Sequence, residues 1–178
     1  MFLPSNYEPP KNQGSNYLRL DDGEQTKFRV MTESPLLGWE VWSEDVEGRK
    51  CHRREYTHEG FDALTALSPD RPKHFWSLIV WDVAMSKLII WHITQKTIKD
   101  SLTALSKDSD WGDPRQYDLR VGRAGKGMDT KWTITPVPPI GPPPNDAVMT
   151  LRDSPINLAA LLTNSDPFKG GAGEDIPF

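Results

Sequence analysis

The chain alternates apolar and polar positions in short runs that proline, glycine and polar residues interrupt. Residues 27–32 place Phe28 and Val30 on one face and Lys27, Arg29 and Met31 on the other, the two-residue period of a half-buried strand. A second strand, 37–43, follows a Ser34-Pro35 turn. Residues 74–83 and 87–93 are almost continuously apolar and are joined by a turn at 84–86, which predicts two strands buried on both faces. Thr94 reads as the cap of a helix of about twelve residues, with Ile98, Leu102 and Leu105 at helical spacing. Alternation returns at 117–121 and 131–135, with the glycine-rich segment 122–127 as the loop between them. A long connection, 44–72, has room for a short helix around Phe61, Leu64 and Leu67.

This order implies four parts. Residues 1–18, polar and broken by prolines, form an N-terminal arm, and residues 19–136 carry nearly all the strand signals. Residues 137–163 begin as a polyproline linker and end in a short helix that Ser154-Pro155 starts and whose apolar face docks on the domain. Residues 164–178 form a flexible tail in which Gly170, Gly171 and Gly173 act as a leash. Within the central part the helix falls between the third and fourth major strands. That is the order of the OB-fold, a five-stranded Greek-key barrel that binds oligonucleotides with a sheet face and two loops. The expectation is therefore a mainly β, five-stranded OB-fold barrel with one helix between strands 3 and 4, followed by a disordered C-terminal tail.

Composition agrees with one domain and sharpens its partner. A chain of 178 residues holds one domain of about 100–150 residues plus tails. The 16 Pro and 13 Gly argue against an all-helical protein. The single Cys51 rules out an internal disulfide framework and fits a reducing compartment. No apolar run reaches the roughly 20 residues that span a bilayer, and no signal peptide opens the chain, so a cytoplasmic protein without membrane contact is expected. The net charge of −4 hides two basic clusters. One is Arg49, Lys50, Arg53 and Arg54 around His52; the other runs from Arg115 to Lys131 with five bases and two acids, Asp118 and Asp129. Phosphate binding responds to such local clusters and not to the sum over the chain. Both clusters fall where the barrel's two binding loops belong.

Single strands are held by a positive groove and aromatic platforms. The phosphate candidates are Arg29, Lys50, Arg53, Arg54, Arg120, Arg123, Lys126 and Lys131, and the stacking candidates are Trp42, Tyr56, Phe75 and Trp76. Trp132, Trp39, Trp81 and Trp91 read as core. Other chemistries fit less well. Asp108, Asp110, Asp113 and Asp118 are dense enough for a metal-dependent nuclease, yet 108–114 has the make-up of a helix exit and turn. Cys51, His52, His58 and His74 lack the spacing of a zinc site, and the glycine loop lacks the Gly-Lys-Ser/Thr ending of a phosphate-binding loop. No catalytic residue, metal or cofactor is expected.

Several motifs together resemble a known family. His74-Phe75-Trp76 through Trp81, Trp91-His92-Ile93-Thr94-Gln95, Trp111-Gly112-Asp113-Pro114 with Tyr117-Asp118, and residues 127–135 resemble the single-stranded DNA-binding proteins of tailed bacteriophages. The terminal Asp175-Ile176-Pro177-Phe178 resembles the ending with which bacterial and phage members recruit polymerases, helicases, primases and repair enzymes. Family tails carry a longer acidic run than Glu174 and Asp175 provide. The resemblance implies a protein that coats and protects exposed strands during DNA replication, recombination and repair, with Asp175, Ile176, Pro177 and Phe178 offered to partner proteins. The alternatives are an OB-fold protein adaptor or RNA-binding accessory factor, and the metal-dependent nuclease.

Overall fold

The computed structural model describes residues 16–169. Strands β1 (Gln25–Val30), β2 (Leu36–Asp45), β3 (Gly48–Glu55), β4 (Lys73–Asp82), β5 (Lys87–Ile93), β6 (Tyr117–Ala124) and β7 (Lys131–Ile140) form one seven-stranded antiparallel sheet. Helices α1 (His58–Thr65), α2 (Lys96–Lys107) and α3 (Asn145–Asp153) connect or cover it, along with three short 3-10 helices. The hub is β4. One of its edges pairs with β5, and the other is shared by β2 towards residue 73 and by β1 towards residue 82. From β1 the sheet continues through β6 to β7.

The sheet curls around one core. Ile89, Trp91 and Ile93 of β5 share a cluster with Phe28, Leu119 and Val121, and Trp132 and Ile134 of β7 pack against it. Ile98 and Leu102 of α2 plug the same core, at the spacing the sequence displays. Among the described residues β5 and β7 are not hydrogen-bonded to each other. Part of the outer edge of β5 is taken instead by residues 16–18, where the Leu18 amide donates to the Ile90 carbonyl and the Ile90 amide to the Asn16 carbonyl, each at 2.8 Å.

A second cluster lies on the outside of β4 and β5. Ile79, Trp81 and Leu88 are covered by Ala147 and Leu151 of α3 and by Ile156 and Leu158 beyond it. These two strands are thus buried on both faces, which is why their sequence is nearly continuous in apolar residues.

A five-stranded barrel with one helix between strands 3 and 4 was the expectation, beside short helices in 44–72 and after Ser154-Pro155. The described residues form a seven-stranded sheet with three α-helices, and the last of the expected helices is the 3-10 segment Leu158–Thr163, with α3 ahead of it. The connection 44–72 contains a whole strand, β3, whose sequence Gly-Arg-Lys-Cys-His-Arg-Arg-Glu has no apolar alternation. Its backbone is ordered by β2, from Asp45↔Gly48 to Gly38↔Glu55, so the partner supplies what the pattern lacks. β7 runs through Pro136, Pro138 and Pro139 because it is an edge strand, where a missing N–H breaks no ladder. The start of the expected tail is not loose either. Pro167 is buried, Phe168 is half-buried with its ring 6.3 Å from Tyr17, and the Asn164 side-chain amide donates to the Cys51 carbonyl at 3.1 Å, so these contacts carry the segment across the sheet.

Candidate nucleic-acid interface

The first basic cluster lies on the edge strand β3, and strand geometry divides it. Side chains alternate between faces, so Arg49 and Arg53 share a face with Trp42 and Glu40, whereas Lys50 and Arg54 share the other with Ser43 and Trp39. The guanidinium of Arg49 lies 4.8 Å from the Trp42 ring, and both residues are exposed. Arg53 is committed: its Nε donates to Glu40 Oε2 at 3.2 Å, and its side chain is only 20% exposed. Arg54 and Lys50 stand in solvent, with one Arg54 Nη donating to the Arg53 carbonyl at 2.7 Å.

The Glu40 carboxylate is the centre of a buried polar network that the sequence did not disclose. The same Oε2 accepts from Arg53, from His92 Nε2 at 2.9 Å and from the Cys51 thiol at 3.7 Å. Nδ1 of His92 in turn meets the Ser77 hydroxyl at 2.8 Å. Burial alone would push the Glu40 carboxyl up, but the hydrogen bonds and charges of His92 and Arg53 outweigh it and hold it below the usual range. Burial pushes the Cys51 thiol up to about 11, which makes it inert as a nucleophile near neutrality. Ser77 is fully buried, so the network braces four strands, and of its members His92 also lines the cavity between β5 and β7. Its members come from β2, β3, β4 and β5, and no local pattern links them.

The four stacking candidates separate by exposure. Trp42 is 40% exposed and Tyr56 48%, so both present a face to solvent. Tyr56 stacks on His74 at 4.0 Å beside Trp39. Trp76 Nε1 donates to His74 Nε2, which leaves Nδ1–H to donate to the Gly38 carbonyl and fixes a neutral ring. Burial first and the Lys99 charge second lower the His74 pKa, against the Gly38 hydrogen bond. Phe75, expected as a platform, is 0% exposed. Its ring lies on Gly38, where any Cβ would collide with it, and it packs 4.7 Å from His92. Trp76 is half-buried against the core and its indole N–H is already used. Phe75 is withdrawn as a platform and Trp76 is largely structural.

Arg29 is also corrected. It is 2% exposed, and β1 holds it between β4 and β6 with every donor group engaged. Nε donates to Asp118 at 2.7 Å, Nη1 to the carbonyls of Gly141 and Arg115, and Nη2 to that of Pro139. It fastens the end of β7 to the sheet and reaches no phosphate. Arg120 and Lys131 are exposed on the outer face of β6 and β7, and Lys126 is exposed near the hairpin tip.

Arg123 has a different setting. Its register partner is Trp132, and its guanidinium lies 5.8 Å from that ring. Nη1 donates to the Leu20 carbonyl at 2.7 Å, while Nε is buried without a partner. Arg123 lines a cavity of about 390 Å³ between β5 and β7, where the sheet is unpaired. Arg19, Asp21, Trp91, Gln95 and Trp132 also line it. Arg19 lies in the sequence beyond both basic clusters, and only the path of residues 16–21 along β5 brings it here.

The four aspartates do not gather. Asp118 is paired with Arg29, Asp113 with Arg115 at 2.7 Å, and Asp108 accepts from the backbone amides of Asp110 and Trp111. Among the described residues no group of three or more His, Cys, Asp or Glu is placed to hold a metal ion, and no helix is long and apolar enough to cross a membrane. The recruiting tip Asp175, Ile176, Pro177 and Phe178 lies outside the described residues. Compared with known proteins, the chain matches no family model, no curated protein and no solved structure.

Proposed function

We propose that the protein binds single-stranded DNA without strong sequence preference, as a member of the phage and bacterial single-stranded DNA-binding family. The observation that carries this reading is that each basic hairpin sets an arginine against a tryptophan. These are Arg49 on Trp42 in β2–β3 and Arg123 on Trp132 in β6–β7. Such pairs join a phosphate ligand to a stacking surface, the two groups that a single strand needs, and each stacked base contributes about 1–3 kcal/mol. Exposed Lys50, Arg54, Lys126 and Lys131 flank them and attract the backbone.

The fold supports the reading through its pairing order. Taking β1, β4, β5, β6 and β7 as the five barrel strands, α2 falls between the third and fourth, as in an OB-fold. The β2–β3 hairpin and α1 are then an elaboration of the first binding loop. The protein acts in the host cytoplasm as a binder and not as an enzyme, and Asp175 to Phe178 recruit replication and recombination proteins.

Fluorescence anisotropy with labelled oligo-dT across a salt series tests this. Log affinity should fall linearly with log salt, by about 0.7 per phosphate contacted. The combined change Arg49→Ala, Arg54→Ala and Arg123→Ala should weaken binding and flatten that slope. Absence of binding at low salt overturns the proposal, and magnesium-dependent cleavage of the probe would replace it with the nuclease. Removing 174–178 should spare DNA binding and abolish capture of partner proteins.

A further inference from the structure

We propose that the cavity between β5 and β7 is a subsite for a single nucleotide unit, which places the base against Trp132 and the phosphate on Arg19 and Arg123. This rests on the single-strand reading and adds to it one recessed, half-open position along the strand. The cavity, at about 390 Å³, lies within the roughly 300–1,000 Å³ of small-molecule sites. It opens beside the edges that β5 and β7 leave unpaired with each other, where residues 16–18 take only part of the β5 edge.

Three features select the ligand. The first is charge: two guanidinium groups face one carboxylate, Asp21, so an anion is favoured. The second is an unmet donor. The Arg123 Nε is buried and has no acceptor, although buried donors are nearly always paired. The same guanidinium is held by the Leu20 carbonyl, and Arg123 is anchored further by its own amide on the Glu24 carbonyl and by the Gly23 amide on its carbonyl. Its position is therefore set before any ligand arrives, which lowers the ordering cost of binding. The third is aromatic surface, with Trp132 half-buried on one wall and Trp91 on another. The Gln95 side chain accepts from the Thr94 amide at 3.2 Å, which leaves its NH2 to donate to a base edge. An inorganic anion would occupy little of this volume and leave the part of the Trp132 ring that Arg123 does not cover without a base to stack on it. An apolar ligand would leave the guanidinium groups uncompensated. A base joined to a phosphate satisfies both.

Photocrosslinking the full chain to an oligo-dT carrying 5-iododeoxyuridine, followed by peptide mapping, tests the proposal without a variant. Crosslinks are expected at Trp132, and thymidine 5′-monophosphate should suppress them, whereas thymidine or inorganic phosphate at the same concentration should not. Arg123→Lys keeps the charge but loses the planar fork, and should lower oligo-dT affinity about tenfold with only a small fall in the unfolding midpoint from the lost Leu20 hydrogen bond. Suppression by inorganic phosphate alone would overturn the nucleotide assignment. Strong oligo-dT binding with crosslinks confined to Trp42 and Tyr56 would overturn the subsite and leave the single-strand reading standing. No oligo-dT binding at low salt would remove both.

Discussion

The β2–β3 hairpin and the β5–β7 seam are built from the same kinds of side chain and do opposite things with them. Each has two arginines, an acid and a tryptophan: Arg49, Arg53, Glu40 and Trp42 in the hairpin, and Arg19, Arg123, Asp21 and Trp132 at the seam. In the hairpin Arg53 is consumed by the buried Glu40 network and Arg49 rests on an open tryptophan. At the seam, Arg123 keeps an unpaired donor on the wall of a cavity. Charge density along a sequence and binding capacity in space are therefore different quantities. A strand spreads consecutive bases over two faces, whereas a gap between strands gathers bases from distant segments.

The sharpest way to break this contrast is to remove Glu40. Glu40→Ala leaves the partly buried Arg53 and His92 without their shared partner, and should cost about 2–4 kcal/mol in urea unfolding. A loss below 1 kcal/mol would mean that the hairpin's charges are available for ligand after all.

Affinity comes next. Trp42→Ala should weaken oligo-dT binding by about 1–3 kcal/mol with little change in stability, because the ring is largely in solvent. Alanine at Arg49, Lys50 and Arg54 together should reduce the salt slope by about 2, with the deficit fading at high salt. Arg123→Lys should instead retain the slope and keep its deficit at all salt concentrations. If both variants behave alike, hairpin and seam are one electrostatic surface and the distinction fails.

Acidification should act on the hairpin side. His74 is held neutral, so its folded pKa lies below the unfolded value of about 6.5. The stability it contributes is present above that value and is lost as pH falls through it, because the unfolded chain takes up the proton first. Glu40 adds a second loss at lower pH, as the folded carboxylate resists protonation longer than the unfolded one. The thermal midpoint should therefore fall from pH 7 to pH 5, with a shallower slope in His74→Gln. The smallest effect is expected of Lys126→Ala, which should remove about 0.7 from the salt slope and leave stability unchanged.

Much of the frame was legible along the chain. Phe28 and Val30 point into the core as their alternation requires, α2 follows Ile98 and Leu102, and β4 and β5 are buried on both faces. The α1 helix forms where Phe61 and Leu64 indicated it, capped by the Thr57 hydroxyl on the Gly60 amide. Helix α3 was masked by the proline run before it, and β3 by its lack of apolar residues.

A two-residue period specifies that a strand has two faces, and apolar residues mark which of them is core. It says nothing about what covers the other face. Arg29 alternates outward as read and Phe75 was a stacking candidate whose face periodicity left open, yet both are buried, because the carbonyls of Pro139 and Gly141 reach the first and Gly38 with His92 encloses the second. Those partners lie far away in sequence, and only the folded chain brings them together. The same holds for the seam: Arg19, Trp91, Arg123 and Trp132 meet because two strands of a curled sheet stop short of pairing. Local patterns determined every strand but β3, the helix α2 and the two basic clusters; the tertiary structure ordered β3 and decided which charges are spent on the fold and which stay exposed.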